Sequence, residues 1–286
     1  MTQLDSLSIA LVGGGNMARG IIGGLLGKGA RAASITVSEP LEASRQSLVN
    51  DFGVRVTADN AQAVRGAHVV VLAVKPQLMS GVARALAPAL RETSPLVISV
   101  AAGIRADRLR HWLGAGTVGN GVQVVRAMPN RPALIGAGAS GLYADPSVPA
   151  ASRRLAEQVM GTTGLVVWVD QEEHIDAVTA LSGSGPAYFF RLAELMAEAG
   201  KALGLDADVA RKLAAQTLAG AGQLVAAEPS PDLARMRAEV TSRGGTTEAA
   251  LNTFAARGFD QLVTEAMSAA ESRSRELAAQ FGDQET

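Results

Sequence analysis

Cysteine is absent from the 286 residues. That excludes disulfides, thiolate catalysis and Cys-based zinc sites, and it fits a reducing compartment without requiring one. Charge of either sign is not in excess: 26 Lys and Arg stand against 27 Asp and Glu, for a net charge of −1. No basic surplus points to nucleic acid, and no acidic tail points to disorder. Long apolar runs are missing too. Arg19 and Lys28 interrupt the longest candidate, short of the roughly 18 residues that suggest a membrane span, so no membrane partner is expected. The N-terminal segment has no positively charged start and carries Asp5, which argues against a secretory signal. A soluble, cytoplasmic protein is expected. Histidines number three. His68 precedes an apolar run, His111 stands beside Trp112, and His174 follows a change of pattern near residue 170. Structural or solvated roles suit all three. They show no metal-ligand spacing, and no metal is expected.

What is present alternates. The length suggests about two domains, at roughly 100–200 residues each. Strands are expected over 8–12, 35–38, 69–74, 96–100 and 122–127, and helices over 16–26, 41–52 and 76–90. The run VVVLAV at 69–74 has no polar alternation and reads as a strand buried on both faces. Strands separated by helical patterns imply an α/β unit with a parallel sheet covered on both sides. After Trp168 the strand-like runs stop, and helices are expected over 186–203, 207–227, 232–240, 247–256 and 260–281. Pro186, with Ser184 just before it, is a start signal; Gly204 and Gly258 are stops. The boundary falls near residues 169–173, giving domains at 1–168 and 169–286.

The first turn of the first half carries Gly13, Gly14, Gly15, Asn16, Met17 and Ala18, of the form G-x-G-x-x-A. It follows a strand and opens a helix. Gly13 permits the tight turn, Gly15 lets a pyrophosphate approach the backbone, and Ala18 keeps the helix close to the sheet. This is a Rossmann-type dinucleotide signature; the competing reading is a structural glycine turn. Glu39 ends the second strand, where a carboxylate accepts hydrogen bonds from an adenosine ribose. It repels a 2′-phosphate and leans toward NADH over NADPH, unless it is only a solvated loop carboxylate. Arg45 stands close enough in sequence to serve a phosphate instead.

The second half carries VTSRGGTTEAAL at 240–251, bare backbone and hydroxyls directly before a helix. Capping alone explains it, and so does an anion site made of the free N–H groups of the first turn. Three further segments, AVKPQ at 73–77, SVAAG at 99–103 and RAMPN at 126–130, end strands at the same sheet edge. Ligands of open α/β sheets bind outside that edge.

Together, GGGNMA, AVKPQ, SVAAG, RAMPN, LSGSGPAY at 181–188 and TSRGGTTEAAL resemble the motifs of pyrroline-5-carboxylate reductases, in the order and spacing of that family, over nearly the whole chain. The GGTT segment paired with SGSGPAY is the specific part. The resemblance implies a Rossmann domain followed by an all-α dimerisation domain that interlocks with a second copy, as a homodimer or a ring of dimers. It implies reduction of 1-pyrroline-5-carboxylate to L-proline with NADPH or NADH, in the last step of proline biosynthesis. The substrate carboxylate then binds the N–H groups of Gly244, Gly245, Thr246 and Thr247. Thr247 matches a threonine near the imine nitrogen, and Ser242 a serine that contacts substrate. Asn60 matches an asparagine on the adenosine side of the cofactor. Ala73, Val74, Lys75 and Pro76, with Ala101, Ala102 and Gly103 and with Met128, Pro129 and Asn130, line the nicotinamide. A protonated imine is already electrophilic, so the chemistry rests on holding the reactants together. Thr247 is a poor acid and is assigned to positioning.

Two residues depart from the family pattern. Arg131 stands where a threonine usually follows Met-Pro-Asn, and Arg243 where a proline usually precedes Gly-Gly. Each either points to solvent or adds positive field for an anion. A β-hydroxyacid dehydrogenase shares this architecture but places a lysine early in the first long helix after the nucleotide domain. Here Arg191 is near the start of that helix and Lys201 near its end; Lys28, Lys75 and Lys212 lie elsewhere. A nucleotide sensor without turnover would have no use for the GGTT segment.

Overall fold

Short strands of apolar and β-branched residues form an eight-stranded sheet, in the order β3-β2-β1-β4-β5-β6-β7-β8. The computed structural model describes residues 3–114 and 122–282. The glycine turn separates β1 (Ile9–Val12) from α1 (Asn16–Gly27). Then come β2 (Ile35–Ser38), α2 (Glu42–Phe52), β3 (Arg55–Thr57) and α3 (Asn60–Val64). The chain next crosses to the other side of β1 with β4 (Val69–Leu72), α4 (Pro76–Thr93), β5 (Leu96–Ser99) and α5 (Ala106–Trp112). It continues through β6 (Gln123–Met128), β7 (Gly138–Ala144), α6 (Ala150–Met160) and β8 (Gly164–Trp168). β1 pairs in parallel with both β2 and β4. The strand order therefore reverses at β1, and its C-terminal end is the place where open α/β sheets bind ligands.

The period of two decides the core. Ile9 and Leu11 face one layer with Ile21, Ile22 and Leu25 of α1. Ala10 and Val12 face the other with Met79, Ala83 and Leu86 of α4. Burying each large apolar side chain contributes roughly 1.5–3 kcal/mol, so both layers are needed to hold β1 in place.

The expected strands and helices of this half are found, with ends displaced by a few residues. Three strands were not legible. β3 is only three residues long. β7, GASGLYA, is poor in strand-forming residues because packing demands small ones: a Cβ on Gly138 would stand 2.8 Å from the Thr163 carbonyl oxygen, and one on Gly141 2.7 Å from Val178. β8 is an edge strand whose Leu165 and Val167 remain exposed. The sheet is not wholly parallel either. β7 runs antiparallel to β6, since they are joined by a short turn at Arg131–Ile135 instead of a helical crossover.

By its contacts the chain forms two units, residues 1–183 with 270–286 and residues 184–269. The first retains α7 (His174–Val178), a π turn (Thr179–Gly183) and the last turns of α12 (Phe259–Gly282). The second holds α8 (Gly185–Ala202), α9 (Ala207–Ala227), α10 (Leu233–Glu239), α11 (Thr246–Ala256) and the start of α12. Asp206 caps α9 by accepting from the N–H groups of Asp208 and Val209, and Asp232 caps α10 in the same way. Ser184 makes no side-chain cap to α8, because the π turn runs directly into it. Gly204 and Gly258 stop their helices with positive φ. This unit leaves Phe189, Phe190, Leu203, Leu213, Leu224 and Leu262 exposed on a single chain. Among the described residues, no helix is long and apolar enough to cross a membrane.

Candidate active site

The glycine turn meets the requirements of a phosphate cradle. Gly13 has φ +98°, and its N–H donates to the Ser38 carbonyl at 2.9 Å. A Cβ there would lie 2.7 Å from the Ala73 carbonyl oxygen, so the turn is pressed against the end of β4. Gly15 differs. It is the N-cap of α1 without a side-chain cap, and a Cβ on it would meet nothing within 4 Å. Gly15 and Asn16 are exposed, so the uncapped start of α1, at the positive end of the helix dipole, is open to a ligand. Asn16 and Met17 open that turn, and Ala18 is fully buried against the sheet.

Glu39 is fixed at this turn. Its carboxylate accepts from the Gly14 N–H and the Leu41 N–H, each at 3.1 Å, so it is not a freely solvated loop carboxylate. Arg45 is held by the backbone, donating to the carbonyls of Glu39 and Pro40 at 2.8 and 2.7 Å. Asn60 begins α3 directly after Asp59, which caps the helix through the Ala61 and Gln62 N–H groups.

The remaining strand ends gather at the same edge. The Ala73 N–H donates to the Val12 carbonyl and that of Val100 to the Leu72 carbonyl. Lys75 is the N-cap of α4, with Pro76 at its first position. Ala101 is buried, and Gly103 has φ +75°. Asn130 lies at the end of β6, but its side chain is committed to the scaffold. Its Oδ1 accepts from the Ala139 N–H at 2.9 Å and its Nδ2 donates to the Ser182 carbonyl at 3.0 Å. That leaves backbone, with Met128 and Pro129, as what this segment offers a ligand.

The start of α11 lies in the second unit. Gly245 is its N-cap, extended and without a side-chain cap, and Gly244 has φ +72°. Two of the four expected N–H donors are already used. The Gly244 N–H donates to Glu248 Oε2 at 2.7 Å, and the Gly245 N–H to the Ser242 carbonyl at 3.0 Å. The capping and anion readings of this segment therefore divide by residue. Glu248 reaches back from the third helical position to the residue before the N-cap, one beyond the N–H that a capping-box glutamate takes. Thr246 and Thr247 stand at the first two positions, whose N–H groups have no carbonyl in the preceding turn. Ser242, Arg243, Thr246 and Thr247 are exposed on the single chain, as is Arg131 in the first unit.

One cluster in the first unit escaped the sequence reading. Arg126 is 2% exposed and pairs through Nη1 with Glu172 at 3.1 Å. Burial lowers its pKa, while Glu172 and Asp176 oppose that shift. The signal was present: QVVRAM is an apolar strand with one charge in it. His174 opens α7 directly after Glu173 of this cluster, His111 lies on α5, and His68 accepts the Ser8 N–H through Nδ1. Arg191, early in α8, pairs with Glu194. Among the described residues, no three His, Asp or Glu gather to hold a metal ion.

Residues 172–277 match the family model described as pyrroline-5-carboxylate reductase dimerisation, and residues 8–103 the one described as NADP oxidoreductase coenzyme F420-dependent. The chain is similar to the pyrroline-5-carboxylate reductase of Pseudomonas aeruginosa, 49% identical over 275 residues that span 96% of this chain and 98% of that one. It is 42% identical to the enzyme of that name from Vibrio alginolyticus, over 97% of this chain and 100% of the other. The solved structure of a pyrroline-5-carboxylate reductase from Coxiella burnetii superposes with a TM-score of 0.89, at 39% identity, covering 96% and 99% of the two chains.

Proposed function

The chain belongs to the pyrroline-5-carboxylate reductase family, and from that premise we propose that it reduces 1-pyrroline-5-carboxylate to L-proline in the cytoplasm, using a nicotinamide dinucleotide. The observation that carries the reading is the start of α1 at Gly15, exposed and without a side-chain cap, at the point where the strand order reverses. A pyrophosphate fits that helix start and its dipole. Gly13, Gly15, Asn16, Met17 and Ala18 form this end of the site, with Glu39 and Asn60 toward the adenosine. The segments 73–76, 101–103 and 128–130 take the nicotinamide end.

When bound, the reduced nicotinamide supplies the hydride. The chain's own residues bind and orient. In this reading the N–H groups of Thr246 and Thr247, with the Ser242 hydroxyl, hold the substrate carboxylate at the start of α11. A carboxylate gains ~0.3–1 kcal/mol there when exposed and up to ~2 when partly buried. Gly244 and Gly245 shape the turn. The Thr247 hydroxyl orients the ring nitrogen, which already carries the proton that makes the imine electrophilic. The apolar residues left exposed on the helical unit support association with a second copy, as a homodimer or a ring of dimers.

The test follows the hydride. With reduced cofactor carrying deuterium at both C4 positions and 1-pyrroline-5-carboxylate, mass spectrometry of the product is expected to find deuterium on carbon in proline. Unlabelled proline, or none, contradicts the reading.

Glu39 favours NADH in this scheme, because its carboxylate sits on the Gly14 N–H, where a 2′-phosphate would be repelled. Glu39→Ser is expected to raise the NADPH-to-NADH ratio of kcat/KM by about tenfold, the worth of ~1.4 kcal/mol. An unchanged ratio removes Glu39 from cofactor choice. Glu248 places a second negative charge beside the substrate carboxylate. Glu248→Gln keeps an acceptor for the Gly244 N–H and removes the charge. KM for the substrate should fall by about threefold, in keeping with the ~0.2–1 kcal/mol between exposed charges, while kcat holds. A risen KM would mean that the charge assists binding.

A further inference from the structure

The buried ionic cluster around Arg126 has no part in the reaction as described above. Glu172 Oε1 accepts from Arg126 Nη1 at 3.1 Å and from the Ala106 N–H, at the start of α5, at 2.7 Å. Arg105 donates to Glu173 at 3.1 Å, and its Nη2 lies 3.8 Å from Asp176 Oδ2. Asp176 is fully buried and accepts the Ser274 hydroxyl of α12 through Oδ1 at 2.7 Å. Arg126 Nη2 and Asp176 Oδ2 are buried with no hydrogen-bond partner. Such a cluster adds little stability over apolar packing of the same volume. What it contributes is position.

The element it positions is the last part of α12. Ser274, Ala278 and Phe281 are buried at the i, i+4, i+7 spacing of one helix face. At one end of that face Ser274 meets Asp176. At the other, Phe281 lies against Gly103, where a Cβ would stand 2.9 Å from the ring. Leu277 and Phe281 pack into the same apolar layer as Ala101 and Ile104. The segment 101–103 is therefore backed by α12, and its continuation at Arg105 and Ala106 is tied to the acids of 172–176.

We propose that Asp176 and Ser274 form a latch that seats the C-terminal helix behind residues 101–103, making Asp176 a positioning residue for the nicotinamide half of the cofactor site. The inference rests on the reading that these residues line the nicotinamide. The latch touches neither substrate nor cofactor. It acts through the loop, so its loss is felt by the nicotinamide and not by the adenosine end, which is built on Gly15, Glu39 and Asn60.

The experiment uses the full-length protein, with Ser274→Ala as the principal variant and Asp176→Asn beside it. Two ligands are titrated: NADH, and ADP-ribose as the same molecule without its nicotinamide. The emission of bound NADH reports the surroundings of the reduced ring. Ser274→Ala is expected to weaken NADH by about fivefold, the net worth of one hydrogen bond, to shift the emission of bound NADH toward that of the free cofactor, and to leave ADP-ribose affinity within about twofold. Asp176→Asn should do the same more strongly; if it fails to fold, Ser274→Ala decides alone. Equal weakening of both ligands, or no change in NADH affinity and emission, overturns the latch. If NADH emission is the same bound and free in the unaltered protein, the nicotinamide reading itself fails and takes the latch with it.

Discussion

Gly15→Ala should leave the fold intact and weaken dinucleotide binding by about tenfold or more, ~1.4 kcal/mol per factor of ten. The free protein has room for the methyl group: nothing lies within 4 Å of the added Cβ, and φ −72° suits any residue. Alanine in place of glycine as N-cap costs about 1 kcal/mol at most. The methyl group instead fills the space through which a pyrophosphate reaches the N–H groups of α1. Gly13→Ala makes the contrast. There φ is +98° and the Cβ would stand 2.7 Å from a carbonyl oxygen, so stability falls along with binding. Thermal unfolding and calorimetric titration of NADH separate the two cases. A Gly15→Ala protein that binds NADH as tightly as the parent would rule out a pyrophosphate at this turn.

Thr247→Ala is expected to lower kcat by about 10- to 100-fold, matching the ~1.5–3 kcal/mol of a hydrogen bond to a charged group, with dinucleotide affinity nearly unchanged. The residue is exposed and at the second position of α11; alanine is a good helix former, so the helix remains. Steady-state rates with saturating cofactor measure the first quantity and titration the second. Unaltered turnover removes Thr247 from the mechanism, and a parallel loss of cofactor affinity makes its role structural.

The sheet was legible wherever burial on both faces produced uninterrupted apolar runs, as in IALV of β1 and VVVL of β4. It was illegible where packing demanded glycine, as in β7, or where a strand lay at the edge, as in β3 and β8. The helices of the second half carried their own punctuation in Pro186, Gly204 and Gly258. Side-chain commitments made across the fold left no local sign. Asn130 is spent on Ala139 and Ser182, nine and 52 positions away. Glu248 lies four residues after Gly244, one more than capping-box spacing, so the bond had no standard local signature, and the anion reading of the same stretch competed with it. Asp176 and Ser274 are 98 positions apart, and no pattern in either segment announces the other. Arg131 and Arg243 are exposed on the single chain, and nothing in the structure explains why arginine stands at either position.

Every role assigned above depends on one reaction, the reduction of a carboxylated cyclic imine at the expense of a nicotinamide dinucleotide. Its most direct test is the absorbance of NADH and of NADPH in the presence of the purified protein, with and without 1-pyrroline-5-carboxylate. Oxidation is expected to depend on the substrate and to be faster with NADH than with NADPH. Measurable cofactor binding with no substrate-dependent oxidation of either cofactor would rule that reaction out.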